Sequence, residues 1–175
     1  MNPFEYLAFA ILRTFRRLHL ARLIRIGAKH NFNDYFKGFD KVEAVKGIFG
    51  DETEEVLKNL KVEFIGLFGY MGVDNTDGHL LVNARYLETG DRTDIYLDVI
   101  HELCHIKQYM EGRELFDGSY EYVDRPTEIE AYRYTVKEAR RLGLSDERIL
   151  LYLKTEWMSD EDLKRLAGYV GINSP

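Results

Sequence analysis

Apolar residues recur along the chain with helical spacing at first, then with the shorter period of strands, then with helical spacing again. Near the N-terminus Phe4, Leu7, Ile11, Phe15 and Leu18 form a helical stripe. Phe9, Leu12, Leu20, Leu23 and Ile24 widen it well beyond one face. No glycine interrupts Phe4 to Ile26, Pro3 suits a helix start, and Gly27 suits a helix end. Asn31-Phe32-Asn33-Asp34 reads as a break. Val42, Val45 and Ile48 then mark a short helix over Lys41 to Phe49 that Gly50 closes. Asp51 is placed to cap a further helix carrying Val56, Leu57 and Leu60.

From Lys61 the pattern changes. Val62, Phe64 and Ile65 are strand formers, and Leu67 to Val73 mixes aromatics with glycine. Asp74-Asn75-Thr76-Asp77-Gly78 is a dense turn signal, and Leu80 to Tyr86 reads as the next strand. These predict an antiparallel hairpin running directly into a long helix. Asp91 or Thr93 caps that helix, and Gly112 follows its end after Met110. Phe116 to Pro126 is loop-like. A second long helix begins near Pro126 and runs to Leu142, with Gly143 behind it. Ser145 and Ser159 cap two shorter helices, from Asp146 to about Trp157 and from Asp160 to about Tyr169, each with acids in its first turn. No internal repeat or low-complexity tract is present.

Composition adds three constraints. The 175 residues, 45% hydrophobic and 13% aromatic, suit one globular domain with a substantial core. A single cysteine excludes an internal disulfide framework and fits a reducing, cytoplasmic setting. No run approaches the length of a membrane-spanning helix, and the basic residues follow the first apolar run where a secretory signal would have them before it. Charge is unevenly spread: residues 1–30 hold Arg13, Arg16, Arg17, Arg22, Arg25 and Lys29 against Glu5, a balance of +5, so the other 145 residues carry −11 of the net −6. Such a basic amphipathic segment has three readings: packing on the rest of the chain, peripheral contact with an acidic membrane surface, or docking to a partner. No motif for specific nucleic-acid binding accompanies it.

The densest chemistry lies in the long helix, at His101-Glu102-Leu103-Cys104-His105. Residues four apart share a helix face, so the two imidazoles can grip one Zn²⁺ while Glu102, one residue on, is placed as general base of a hydrolase. Ile95, Val99, Leu103, Ile106 and Met110 anchor the helix on its other side. Cys104, between the histidines, reads as a small buried side chain. Asp98 and Gln108 lie one turn to either side on the histidine face, where a residue either steadies a ligand or meets solvent. His79, after a turn glycine, reads as a surface residue. A catalytic zinc needs a third protein ligand, and none of the other histidines (His19, His30, His79) follows shortly downstream. A carboxylate on the helix after Pro126 fills that role, either Glu128 or Glu130. Two apart, they cannot both face one point.

H-E-x-x-H with a downstream E-x-x-A helix, here Glu128-Ile129-Glu130-Ala131, resembles the gluzincin zinc metallopeptidases. The small size is similar to that of the archaeal minigluzincins. The resemblance spans residues 61–142. It implies that Glu128 is the third ligand beside His101 and His105, and that Ala131 lets the two helices approach closely. Where the family often has an acid four residues after the ligand, this chain has Tyr132. Its hydroxyl stands as a candidate catalytic group for orienting substrate or stabilising an oxyanion, against a purely packed aromatic. Tyr120 and Tyr122 in the loop are rivals for that role. Leu81-Val82-Asn83-Ala84-Arg85-Tyr86 resembles the edge strand on which gluzincins lay a peptide, implying substrate contacts at Asn83 and Ala84. In some minigluzincins a C-terminal segment fills the cleft of a latent form. Trp157, Met158 and Tyr169 are the residues here that either plug a cleft or anchor a core.

The expectation is an α+β, zincin-like fold: a small antiparallel or mixed sheet on the histidine helix and the glutamate helix. It has a helical extension over 1–60, a catalytic core over 61–142 and a helical tail over 143–175. The expected function is a zinc metalloendopeptidase acting on peptide or protein substrates, with a zinc-binding module that docks without proteolysis as the alternative. A zinc hydrolase of a non-peptide bond is a third reading.

Overall fold

The computed structural model describes residues 27–66 and 69–172. The basic stretch through Ile26, with its expected helix and membrane or partner contacts, lies outside them. No helix among the described residues is long and apolar enough to cross a membrane.

The described residues form an α+β fold with a four-stranded mixed sheet. Strands β1 (Lys29–Asn31), β2 (Lys61–Ile65), β3 (Met71–Val73) and β4 (Leu80–Asn83) lie in the order β1-β2-β4-β3. The β1/β2 and β3/β4 pairs are antiparallel, and β2/β4 is parallel. The expected antiparallel hairpin is thus β3 with β4 alone. After β2 the chain passes to the outer position as β3, then turns back so that β4 fits between β2 and β3. Val62, Phe64, Leu80 and Val82 point into the core while their neighbours are more exposed, so one face of the sheet is buried. The stretch expected to be a break, Asn31 to Asp34, is the last residue of β1 and the start of a short helix, and β1 ties residues before 60 into the sheet of the core.

Between β1 and β2 lie α1 (Phe32–Tyr35), a 3₁₀ turn (Phe39–Lys41), α2 (Glu43–Phe49), a second 3₁₀ turn (Gly50–Glu52) and α3 (Thr53–Asn59). Asp51 therefore sits in a 3₁₀ turn and does not cap α3. Phe32, Phe36 and Phe39 are fully buried and pack ring on ring, an aromatic wedge that reaches Tyr96.

The expected strand over Leu80–Tyr86 stops at Asn83. Its side-chain oxygen accepts the backbone N–H groups of Arg85 and Tyr86, so the chain turns at once into α4 (Ala84–Thr89). Then comes α5 (Arg92–Met110), capped by Asp91 through the N–H groups of Thr93 and Asp94. This helix is the centre of the molecule. Apart from its ends it is buried on nearly every side, and it packs most extensively on α6 (Pro126–Arg141). Ala131 and Ala139 are fully buried on α6, and small side chains there allow close approach. The hairpin turn before β4 rests on α5: Gly78 has φ 75° and its Cα faces the Tyr109 ring so closely that a Cβ would clash, while Tyr109 donates to the Thr76 carbonyl.

The C-terminal helices are α7 (Asp146–Leu153) and α8 (Asp160–Tyr169), capped by Ser145 and Ser159 as expected. α7 is shorter than its apolar pattern predicts, ending at Leu153. Lys154 to Met158 forms a connector in which Met158 is buried and Trp157 is 60% exposed.

Candidate metal centre and cleft

Helices α5 and α6 bring His101, His105 and Glu128 together in a buried cluster that could hold a metal ion. The Nε2 atoms of the two histidines are 3.0 Å apart. Glu128 Oε2 lies 3.2 Å from His101 Nε2 and 3.4 Å from His105 Nε2. Bonds of about 2.0–2.2 Å in a tetrahedral array set ligand atoms roughly 3.2–3.5 Å apart. The two distances to Glu128 fall in that range and the distance between the imidazoles is slightly shorter, so the triangle is close to the size that one small divalent ion requires. Glu128 Oε2 is buried and makes no hydrogen bond among the described residues, although two imidazole nitrogens face it. Three electron-pair donors aimed at one point, with too few protons to share, fit a cation between them.

Local charge agrees. Burial holds His101 below its ordinary pKa, favouring the neutral imidazole that a metal needs. Burial also pulls on His105, but Glu128, Glu102 and Gln108 outweigh it and lift that residue to about 9. For Glu128 burial acts upward, and its contacts with both imidazoles outweigh it, holding the carboxylate well below its usual range. Without a metal, His105 and Glu128 make a buried ion pair, and a bound ion would take the place of the His105 proton.

Glu102 lines the cleft beside this cluster, and burial pushes its carboxyl up to about 8. The cleft encloses about 390 Å³. Tyr70, β3, Phe116, Tyr122 and Trp157 are among the groups that line it. Tyr132 is 5% exposed, and its ring stands edge-on to His101 with centroids 4.4 Å apart. Its hydroxyl shares a 2.9 Å hydrogen bond with that of Tyr122. Trp157 is therefore a rim residue of the cleft, while Met158 is a core anchor and Tyr169, 42% exposed, hydrogen-bonds Asp124.

Glu130 is not in the cluster. It faces the other way, accepting from Arg113 and, at 2.9 Å, from Gln108 Nε2. Asn83 and Ala84 do not lie on a free strand edge. β4 is an inner strand, and Asn83 is engaged in capping α4 and in donating to the Gly69 carbonyl at 2.9 Å. The edge strand next to β4 is β3, and Met71, Gly72 and Val73 all line the cleft. His79 is not a surface residue: it is 5% exposed, paired with Asp77, and its Nε2 is 3.2 Å from Glu63. Asp74, Asp77 and His79 also converge, but Thr76 and Lys29 already occupy the two carboxylates.

Asp98 and Gln108 stand out in the sequence by their place on the histidine face, but their partners do not. Asp98 accepts hydroxyl protons from Tyr86 on α4 and, at 2.9 Å, from Tyr152 on α7. No periodicity places those three together. Gln108, 1% exposed, bridges α5 and α6. Its position on the histidine face was the only signal. No family model matches the chain, and no curated protein or solved structure is significantly similar to it.

Proposed function

We propose that the chain is a zinc-dependent metallopeptidase of the gluzincin type with a zincin-like fold. The observation that carries this reading is the convergence of His101, His105 and Glu128 in one buried triangle, with Glu102 beside it on the cleft. A zinc ion fits the His₂Glu donor set, and would supply a Lewis acid that polarises a carbonyl oxygen and acidifies water. Glu102 accepts the proton of the attacking water and delivers it to the leaving amine. Burial raises the proton affinity of the Glu102 carboxyl, which strengthens it as a base, and a cation held beside it would favour the ionised form that accepts the proton. An extended peptide pairs with the outer edge of β3, which supports substrate contacts at Met71 to Val73 in place of Asn83 and Ala84. The Tyr132 and Tyr122 hydroxyls, both on the cleft, are the groups placed to meet a developing oxyanion.

The test is cleavage of casein and of a quenched-peptide library by the zinc-loaded protein. Chelator-sensitive cleavage is expected. Glu102→Ala loses it by about 10²–10⁴-fold while keeping its zinc. A folded, zinc-loaded wild-type protein that cleaves neither substrate overturns the peptidase reading.

A further inference from the structure

Gln108 is a neutral residue in a place where charge surrounds it, and its amide has no freedom. Its Nε2 donates to the Thr127 carbonyl at 3.0 Å and to Glu130 Oε2 at 2.9 Å, with Cys104 Sγ at 3.6 Å. Its Oε1 lies 2.7 Å from His105 Nδ1. Exchanging the two amide atoms would set a carbonyl oxygen against the Thr127 carbonyl and the Glu130 carboxylate in a buried site. Neither neighbour can donate, so the orientation follows from the acceptors alone. Oε1 must face His105, and Nδ1 must supply the proton between them.

We infer that Gln108 is the positioning residue of the metal centre: it holds the His105 proton on Nδ1 and so turns the Nε2 electron pair toward His101 Nε2 and Glu128 Oε2. The inference rests on reading that triangle as a metal site. Gln108 acts on the third ligand as well, because Thr127 directly precedes Glu128 in the first turn of α6. One amide therefore sets the tautomer of a ligand on α5 and pins the backbone that carries the ligand on α6. Glu130 is held in turn by Arg113, whose backbone N–H donates to the Gln108 carbonyl at 2.9 Å, closing the polar loop on itself. Metal-bound histidines generally donate their second N–H to an acceptor, and loss of that acceptor weakens metal binding by about 10–100-fold. The amide does here what a carboxylate could not do, since it both accepts from His105 and donates to two oxygens.

The experiment is a competition titration of Zn²⁺ against a chromophoric chelator, with circular dichroism as the check on folding. Gln108→Leu is expected to bind Zn²⁺ about 10–100-fold more weakly than wild type. Gln108→Glu keeps an acceptor but sets it against Glu130, and it also binds more weakly. Combining Gln108→Glu with Glu130→Gln restores the donor–acceptor pair between those two residues but not the bond to the Thr127 carbonyl, and part of the affinity returns. Nitrogen-15 imidazole spectra of the zinc-loaded protein read the proton itself. In wild type His105 carries it on Nδ1, protected from exchange, and Gln108→Leu loses that protection while His101 is unchanged. Folded Gln108→Leu binding Zn²⁺ as wild type does, or a double variant that regains nothing, overturns the role of Gln108 and leaves the metal centre standing. Wild-type protein that binds no Zn²⁺ overturns both. If Gln108→Leu does not fold, the wild-type spectrum decides: a zinc-loaded His105 with its proton on Nε2 overturns the inference.

Discussion

The two histidines of the candidate metal centre sit four residues apart on one helix, yet they are held by opposite means. On the His105 flank the support is polar. Gln108, Glu130 and Arg113 form a chain of hydrogen bonds that crosses from α5 to α6. On the His101 flank it is aromatic. Tyr132 packs edge-on to the ring, and His101 Nδ1 is buried with no hydrogen-bond partner among the described residues. Beyond it, Tyr86 and Tyr152 close on Asp98. The difference matters because hydrogen bonds fix a tautomer, while ring packing fixes only an orientation. The polar flank ties α5 to α6 by hydrogen bonds, while the aromatic flank meets α6 through the Tyr132 ring and reaches α4 and α7 through Tyr86 and Tyr152.

The comparison breaks most sharply at the two glutamates of α6. Glu128→Ala removes one of three ligands, and near-stoichiometric zinc should fall to a trace after dialysis. Glu130 reaches the site only through Gln108, so Glu130→Ala should retain its zinc with affinity lowered by no more than about tenfold. Elemental analysis of the two dialysed variants checks this. Equal losses would mean that the polar flank contributes a ligand and not a support.

That pair also shows where the sequence was legible. The histidine helix, its Asp91 cap, the Pro126 helix start and the Ser145 and Ser159 caps are local features, and helical period or capping chemistry is enough to read them. Choosing Glu128 over Glu130 required knowing how α6 is rotated against α5. The E-x-x-A resemblance pointed to Glu128, and packing over Ala131 realises that rotation. The sheet was less legible, because strand order depends on contacts far apart in the chain. Nothing in Leu80 to Tyr86 announces that β4 is an inner strand. Asn83 does carry a local signal, as a good helix cap, but the apolar run around it reads as strand. Buried His79 was missed for a similar reason: its partner Glu63 is sixteen residues away on β2.

The aromatic flank should respond through stability more than through metal. Tyr132→Ala opens a cavity beside His101 and α6, and large-to-small changes at buried aromatics cost about 3–5 kcal/mol. Tyr132→Phe loses only the bond to Tyr122, about 1 kcal/mol. Zinc affinity of Tyr132→Phe should stay within about threefold of wild type, against the larger loss at Gln108. Urea unfolding of the metal-free proteins gives the first two values, and the chelator competition gives the third. A Tyr132→Phe affinity as low as that of Gln108→Leu would erase the distinction between the flanks.

The last expected effect lies at Asp98 and depends on pH. Burial raises its carboxyl to about 6, against the opposing hydrogen bonds from Tyr86 and Tyr152, with Asp94 adding to the rise. The unfolded chain titrates near ~3.9. Between those values the native state keeps a proton that the unfolded state has released, so this group's contribution is fully present below about pH 4 and is lost as pH rises toward 6. The slope is at most ~1.4 kcal/mol per pH unit. Asp98→Asn cannot titrate and should lack this contribution. Glu102 is also raised, chiefly by its own burial and least by the charge of Asp98, so most of its titration is common to both proteins. Urea midpoints of metal-free wild type and Asp98→Asn, taken from pH 4 to 7, should therefore converge or cross in Asp98→Asn's favour as pH rises, then run parallel above about 6.5. Parallel curves throughout would mean that Asp98 titrates as it does in water, and that the tyrosine cage on the His101 flank is open to solvent.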